Sequence, residues 1–551
     1  IIRQKRFEQM KKAVKTVLIV FVCIVLSVGL FFAAYSLCGL AGGVRLKVDK
    51  STTYQTIEGF GASAAWWYQL MGAYDGVGAD EFRHEVVDLV YGDEGLGLNI
   101  FRYNIGGGSW ELFRNNVGDY ASYNNGAGRR RDALTESFFK SENFSGDYSA
   151  FSNPGNYTIL EDEHSNHDIY TQKMFRLALD TGNVERVVAF CNSPHYLLTK
   201  SGYCLGAEDY QDNLKENCFE AFADYAIIST YKLYEGIIKD YGIATSMVQI
   251  SPVNEPQHRW SLASSDQEGC HYDAEYLAGF YQVFYERLNY WNATWNTDFK
   301  MDVFESGNYD NHPNKEHYQN IWKYLDAFKK KEFWSHIDEI SVHSYGTDDR
   351  NSEKRYFNTK LKTKAYKGFP KISMSEYCDM VWGRDLSIDM AVHDSRVING
   401  DLTIMNVVAW SWWLSISAED YNSTLVYYDV IENNPETTLD DEYSITLPKR
   451  YYAFKHYSAF INAGDVRVKI TSSDPFNFMN ICSSAFLRQD GSLVIVVTNS
   501  GKAQKINLKG LNYGTMTTYL TTVDEDWQIS TGALCDEVLL PANSIITIVL
   551  M

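Results

Sequence analysis

The chain has 551 residues, and its 70 acidic and 50 basic side chains give a formal net charge of −20. This excess of negative charge argues against nucleic acid and other polyanions as partners. Aromatic residues make up 15% of the chain, with 39 Tyr and 13 Trp, and such rings either pack in cores or stack on the apolar faces of sugars. A neutral ligand therefore fits the composition best.

The N-terminal residues 1–43 contain a basic stretch followed by an apolar one. Residues 1–15 include six Lys and Arg, and no charge occurs from Val17 to Val44. Such a pattern predicts a membrane anchor with its basic flank in the cytoplasm. A cleaved signal peptide is the alternative, because "CGLAGG" supplies small residues, and a lipid anchor on Cys38 is a third. In each case we expect residues 45–551 outside the cytoplasm, either anchored at the cell surface or secreted, with membrane contact through this segment only.

The cysteines and histidines do not suggest a metal site. Nine cysteines occur, without the CxxC or His-rich spacing that is typical of metal ligands. Cys204 and Cys218 flank a loop, and the two could form a disulfide.

From about residue 58 to residue 446, short apolar runs alternate with helical stretches such as 218–238 and 273–288. The predicted strands in this part are 57–63, 96–105, 186–193, 246–255, 300–306, 337–345, 371–377 and 405–413. Eight strands, each separated from the next by helical sequence, predict a closed parallel barrel.

After Pro448 the pattern changes to strands joined by turns, at 466–470, 493–499, 505–508, 515–522 and 544–550. These predict an all-β sandwich. The alternating run 44–49 comes before the barrel in the chain and is expected to be a strand of this sandwich. The fold class is therefore α/β, a (β/α)8 TIM barrel with an attached β-sandwich, and we expect a monomer. The predicted organisation is an anchor or signal segment at 1–43, the first sandwich strand at 44–57, the barrel at 58–447 and the sandwich at 448–551.

Functional side chains of such barrels lie at the carboxyl ends of the strands. Glu255 in "SPVNEPQ" and Glu376 in "SEY" both close apolar strands there, and Glu305 is a third acid, for which we expect a supporting role. A buried carboxylate costs several kcal/mol unless it is paired or protonated. Two such glutamates indicate a pair that performs acid and base chemistry.

Seven motifs occur in order within residues 45–551, namely "GFGASAAWW", "FRYNIGGGS", "NSPHYLLTKSGY", "SPVNEPQ", "SVHSYG", "SEY" and "AWSWW". On these motifs the chain resembles glycoside hydrolase family 30, and most of all its endo-β-1,6-galactanase-like branch. The resemblance implies a barrel with a side sandwich built from both chain ends. It also implies hydrolysis with retained anomeric configuration and without a cofactor or metal.

The resemblance also implies roles for single residues, residue by residue. Glu255 matches the acid/base and Glu376 the nucleophile, while Asn254 matches the asparagine that bonds the sugar 2-hydroxyl. Arg102 and Tyr345 match residues that orient the nucleophile and keep it ionised. Further expected substrate contacts at the strand ends are Asn192, His343, Trp410, Trp412 and Trp67.

Two segments bear on the substrate. The long insertion at about 111–170, with "RRR" at 129–131, is expected to wall part of the cleft. Residues 414–448 contain eight acids and no Lys or Arg, whereas the glucuronoxylan-cleaving branch of the family uses an arginine there. A neutral polysaccharide or oligosaccharide such as galactan is therefore the expected substrate. The alternatives are a β-glucosidase, β-xylosidase, β-1,6-glucanase or xylanase, or a non-catalytic, membrane-tethered carbohydrate-binding protein.

Overall fold

The computed structural model describes residues 44–74, 78–115, 133–159, 168–309, 320–337, 339–346, 351–366, 371–431, 442–473 and 480–551, together with 21, 22, 24–27 and 29. Most of the predicted anchor 1–43 lies outside these residues, as does "RRR" at 129–131. Across the described ranges, no helix is both long enough and apolar enough to cross a membrane.

The strands are β1 (Val44–Thr56), β2 (Gly59–Ser63), β3 (Ile100–Asn104), β4 (Arg186–Phe190), β5 (Val248–Ser251), β6 (Lys300–Ser306), β7 (Glu339–His343), β8 (Lys371–Glu376), β9 (Ala409–Ser417), β10 (Thr424–Ile431), β11 (Glu442–Thr446), β12 (Val466–Ser472), β13 (Ile481–Leu487), β14 (Leu493–Asn499), β15 (Gln504–Asn507), β16 (Thr515–Thr521), β17 (Gln528–Ala533), β18 (Glu537–Leu540) and β19 (Ser544–Leu550). The α-helices are α1 (Trp67–Ala73), α2 (Ala79–Tyr91), α3 (Ser109–Asn115), α4 (Ile169–Asp180), α5 (Phe219–Gly236), α6 (Ala274–Trp295), α7 (Ile321–Phe328), α8 (Asn351–Leu361), α9 (Ile388–Gly400) and α10 (Lys449–Ser458).

Strands β2 to β9 form a closed parallel barrel, in which each strand pairs with the next and β9 pairs with both β8 and β2. The predicted barrel is therefore confirmed, and all eight predicted strands are present. Every residue of β4, β5 and β7 is buried, because one face packs inside the barrel and the other packs against helices. This is why these strands are nearly continuous apolar runs in the sequence.

The barrel sheet continues past β9 into two strands that the sequence did not predict. β10 runs parallel to the second half of β9, and β11 runs antiparallel to β10. Both lie in the acidic stretch 414–448, for which the sequence predicted no strand.

The remaining strands build the predicted all-β domain. β1 pairs with β12 and, at its first residues, with β15, so the early strand lies in this domain. Side chains of β15 and β18 share a core with those of β14 and β19, which is the packing of two layers. The domain is preceded by α10, where the sequence predicted only strands. α10 forms because Tyr451, Phe454 and Tyr457 recur every third residue and are all buried.

Two further expectations concern the loops. Cys204 and Cys218 are both free thiols, so the suggested disulfide is wrong. Residues 133–159 of the long insertion pack Phe151 and Tyr157 against Tyr225 of α5. This part of the insertion therefore belongs to the core of the barrel domain.

Candidate active site

The carboxyl ends of the barrel strands bring Glu255, His343 and Glu376 together. His343 ends β7, Glu376 ends β8, and Glu255 lies four residues beyond the end of β5. One carboxylate oxygen of each glutamate and a ring nitrogen of His343 all lie within 4.8 Å of one another. The predicted pair of glutamates therefore shares one site.

Glu376 is held by two donors, one from β3 and one from the segment that follows β7. Arg102 Nη1 donates to its Oε2 at 3.3 Å, and the Tyr345 hydroxyl donates to its Oε1 at 3.1 Å. The Arg102 guanidinium also lies over the Phe190 ring, 4.4 Å from its centroid. Arg102 is only 1% exposed, and its guanidinium faces the carboxylates of Glu376 and Glu305. This is the geometry that the expected orienting role of Arg102 requires.

Glu305 is a third carboxylate at the floor of the site. It is fully buried, it accepts a hydrogen bond from Arg102 Nη2 at 3.2 Å, and its Oε2 lies 3.0 Å from His343 Nε2. Ser375 also donates to it. Burial alone would raise the pKa of Glu305, but the charge of Arg102 and the hydrogen bond with His343 lower it to about 2. Glu305 therefore supplies a permanent negative charge behind His343.

His343 links all three carboxylates. Its Nδ1 lies 3.2 Å from Oε1 of Glu255 and 3.6 Å from Oε1 of Glu376. Burial would lower the pKa of His343, but the charge of Glu376 and the hydrogen bonds with Glu255 and Glu305 raise it to about 10. His343 is therefore an imidazolium at neutral pH. His343 is 0% exposed and both of its ring nitrogens face carboxylates, so the expected sugar contact at His343 is not made in this structure.

The two glutamates titrate as a pair because they are so close. Burial raises the pKa of Glu376, although Arg102 and His343 oppose the rise. Burial would also raise the pKa of Glu255, but the hydrogen bond and charge of His343 lower it.

The backbone that carries the site is unusual at two glutamates. Glu255 has a φ of 45° and Glu305 a φ of 35°, a conformation that costs a non-glycine residue about 1–3 kcal/mol. The Glu255 N–H donates to the Glu305 carbonyl at 2.9 Å, which ties the two segments together. A Cβ on Gly307 would lie 2.9 Å from Oε1 of Glu255, so Gly307 leaves the space that this carboxylate occupies. Sequence reasoning missed Gly307, for which the "ESG" at the end of β6 is the signal.

Three asparagines form a hydrogen-bonded chain beside the pair. Asn254 Nδ2 donates to Asn192 Oδ1 at 3.0 Å, and Asn192 Nδ2 donates to Asn104 Oδ1 at 3.2 Å. Oδ1 of Asn254 is buried and has no partner among the described residues. Asn254 can therefore accept a hydrogen bond from a hydroxyl group of a ligand. Sequence reasoning missed Asn104, which ends β3 in the "FRYN" motif.

The predicted tryptophan contacts are corrected by the structure. Trp410 and Trp412 are 0% exposed, and their indole N–H groups donate to Asp401 and to the Ser423 carbonyl. Both rings pack against Phe454 of α10. These two residues therefore belong to the core between the barrel and α10, and they cannot stack on a sugar.

Trp67 is also buried, with 8% of its surface exposed, and its ring packs edge-on against Tyr428 of β10. This degree of burial leaves no ring face for a sugar. The expected contact at Trp67 is therefore contradicted as well, here because β10, a strand that the sequence did not predict, packs against the ring.

Comparison with known proteins matches both parts of the chain. A family described as O-glycosyl hydrolase family 30 matches residues 43–427, and the glycosyl hydrolase family 30 beta sandwich domain matches residues 464–548. An endo-beta-1,6-galactanase from Hypocrea rufa is 22% identical over 492 residues, which cover 88% of this chain and 87% of that protein.

Two solved structures share the fold. A conserved exported protein from Bacteroides fragilis has a TM-score of 0.71 and 22% identity, and the catalytic domain of GH30 xylanase C from Talaromyces cellulolyticus has a TM-score of 0.64 and 17% identity. Each match covers 92% of this chain and 100% of the other. With the two family matches, which span most of the described chain, the protein belongs to glycoside hydrolase family 30.

Proposed function

We propose that the protein is a retaining glycoside hydrolase that cleaves a β-linked neutral polysaccharide. The observation that carries this proposal is the approach of Glu255 and Glu376, whose nearest carboxylate oxygens lie within 4.8 Å. Retaining enzymes hold their two carboxyl groups about 5–5.5 Å apart, whereas inverting enzymes need about 6.5–9.5 Å to admit a water molecule. The spacing favours double displacement.

In the first step, ionised Glu376 attacks the anomeric carbon, and Glu255 gives its proton to the glycosidic oxygen that leaves. Arg102 and Tyr345 hold the attacking carboxylate in place. In the second step, Glu255 takes a proton from water, the resulting hydroxide attacks the same carbon, and Glu376 is released. Asn254 binds the sugar 2-hydroxyl through its unpaired Oδ1.

The reaction needs the proton of the pair on Glu255 and the charge on Glu376. In the unliganded site His343 lowers the pKa of Glu255, and burial raises the pKa of Glu376. His343 lies beside both glutamates, since its Nδ1 is 3.2 Å from the Glu255 carboxylate and 3.6 Å from the Glu376 carboxylate. A closer approach of His343 to Glu376 would lower the pKa of Glu376, and a longer distance to Glu255 would let the pKa of Glu255 rise. The active form of the enzyme is therefore the one in which Glu255 and Glu376 together hold one proton.

We propose endo-β-1,6-galactanase activity on galactan and arabinogalactan side chains as the specificity. Its support is the relative from Hypocrea rufa that bears this name, together with the absence of Lys and Arg from residues 414–448. A neutral chain needs no cation there. Early release of oligosaccharides from β-1,6-galactan would support the proposal, whereas release of monosaccharide alone, or faster cleavage of glucuronoxylan, would overturn the specificity.

The proposed location is outside the cytoplasm, with the protein acting as a monomer and the N-terminal segment as its only membrane contact. The basic and then apolar N-terminus supports this location, and the structural relative from Bacteroides fragilis is called an exported protein. Cell fractionation and protease treatment of intact cells test the proposal, because an exported domain is digested without lysis.

A further inference from the structure

The loop that follows β8 exposes apolar side chains at the same end of the barrel as the glutamate pair. Met380, Val381 and Trp382 are 67%, 53% and 82% exposed. Trp382 lies six residues after Glu376, and six residues of extended chain span at most about 20–22 Å. An oligosaccharide bound at Glu376 is therefore long enough to reach this tryptophan.

The backbone around Trp382 is fixed to the segment that follows β9. The Asn422 N–H donates to the Val381 carbonyl at 2.9 Å, and the Gly383 N–H donates to the Asp420 carbonyl at 3.1 Å. The Trp382 ring meets the Tyr421 ring edge-on, with 5.3 Å between their centroids. These contacts hold the tryptophan in place and leave most of its surface in solvent.

A bidentate ion pair reinforces the same loop. Both terminal nitrogens of Arg384 donate to the Asp429 carboxylate at 2.8 Å, and Arg384 Nε donates to the Glu419 carbonyl at 3.0 Å. This pairing neutralises the arginine, so it does not attract an anion. An exposed indole does not gain the hydrophobic stabilisation that burial would give. Because hydrogen bonds and an ion pair hold this loop with Trp382 exposed, we infer that a ligand covers the ring.

We propose that Trp382, with Met380 and Val381 beside it, is an outer sugar-binding platform on which a neutral sugar of the substrate stacks, several units from the bond that is cut. This inference rests on the proposed function. The flat indole suits the apolar C–H face of a sugar, Trp382 follows the same strand that ends at Glu376, and the acidic Glu419 and Asp420 on the supporting segment disfavour an anionic ligand.

The test compares Trp382→Ala and Trp382→Phe in the full chain, with Tyr290→Ala as a matched control. Tyr290 is an aromatic residue that is 53% exposed on the outer helix α6. Two substrates are compared: a long β-1,6-galacto-oligosaccharide and an aryl glycoside with one sugar. If the wild type cuts only glucan, a long β-1,6-gluco-oligosaccharide takes the place of the galacto-oligosaccharide. Trp382→Ala should raise KM for the oligosaccharide about 3- to 10-fold and leave the aryl glycoside unchanged. Trp382→Phe and Tyr290→Ala should stay near the wild type.

An unchanged KM for the oligosaccharide in Trp382→Ala would overturn the inference, and would favour a protein partner as the occupant of this surface. Equal losses on both substrates would also overturn it, because they would show a distorted site. The wild-type protein tests the proposed function separately. If it cleaves neither the oligosaccharide nor the aryl glycoside, the proposed function is rejected, and the sugar-binding platform is rejected with it.

Discussion

Glu255 and Glu376 each lie close to one nitrogen of His343, and their nearest carboxylate oxygens are within 4.8 Å of each other. His343 is charged, with its pKa raised to about 10, and Glu305 balances that charge from behind. Two cations, Arg102 and His343, thus face three carboxylates. The cluster is electrically neutral when Glu255 and Glu376 share one proton, which is the state that double displacement uses.

Replacement of Glu376 by Gln should remove turnover by a factor on the order of 10³–10⁶, because an amide cannot form the covalent intermediate. Substrate binding should persist, since the amide has nearly the same shape. Steady-state kinetics and equilibrium binding measure the two effects. Glu81→Gln on α2, where the glutamate is exposed, is the control and should keep full activity. Substantial turnover by Glu376→Gln on a natural substrate would reject the nucleophile assignment.

Replacement of Glu255 by Ala should depend on the leaving group. Loss of general-acid help costs about 10²–10⁴-fold on a sugar leaving group, whereas an activated phenolate leaves without a proton. The comparison is between kcat/KM for an oligosaccharide and for a nitrophenyl glycoside. Equal losses on the two substrates would indicate that Glu255 is structural.

Replacement of His343 by Gln should move both limbs of the pH profile of kcat/KM toward higher pH. The charge of His343 lowers the pKa of Glu255 and of Glu376, so its removal raises both. The acid limb requires one carboxylate of the pair to ionise, and the alkaline limb requires the other to stay protonated. Because both pKa values rise, both limbs of the pH profile move to higher pH. His84→Gln, at an exposed position on α2, should leave the profile unchanged, and a downward shift in His343→Gln would contradict the account.

The sequence predicted the barrel well because its strands are apolar runs that end in polar residues. It placed Glu376 correctly at the end of a strand, and Glu255 lies four residues beyond the end of its strand, close enough for the structure to bring the two together. It failed at Trp410 and Trp412, because alternation along a strand shows that two rings share a face but not what covers that face. Here α10 and its Phe454 cover it. Gly307 and Asn104 were missed because their roles depend on neighbours from other strands.

The buried position of Trp410 leads to a prediction about stability. Its indole N–H donates to Asp401, which also pairs with Lys354, and both charged side chains are 0% exposed. Asp401→Asn leaves a buried lysine without its counter-charge and should lower the free energy of unfolding by about 3–5 kcal/mol. Urea denaturation measures this loss.

The matched control is Asp298→Asn, which removes a carboxylate from an exposed pair with Lys300. It should change the free energy of unfolding by no more than about 1 kcal/mol. Similar values for the two variants would show that the Asp401 network does not stabilise the barrel.

The anomeric configuration of the first product tests the central claim most directly. Proton NMR during early hydrolysis of a β-linked oligosaccharide, before mutarotation, identifies the anomer at the newly formed reducing end. Double displacement through Glu376 inverts the anomeric carbon twice, so the account predicts that the β-anomer appears first and the α-anomer only later. Initial release of the α-anomer would show a single displacement by water, and would contradict the roles given to Glu255 and Glu376.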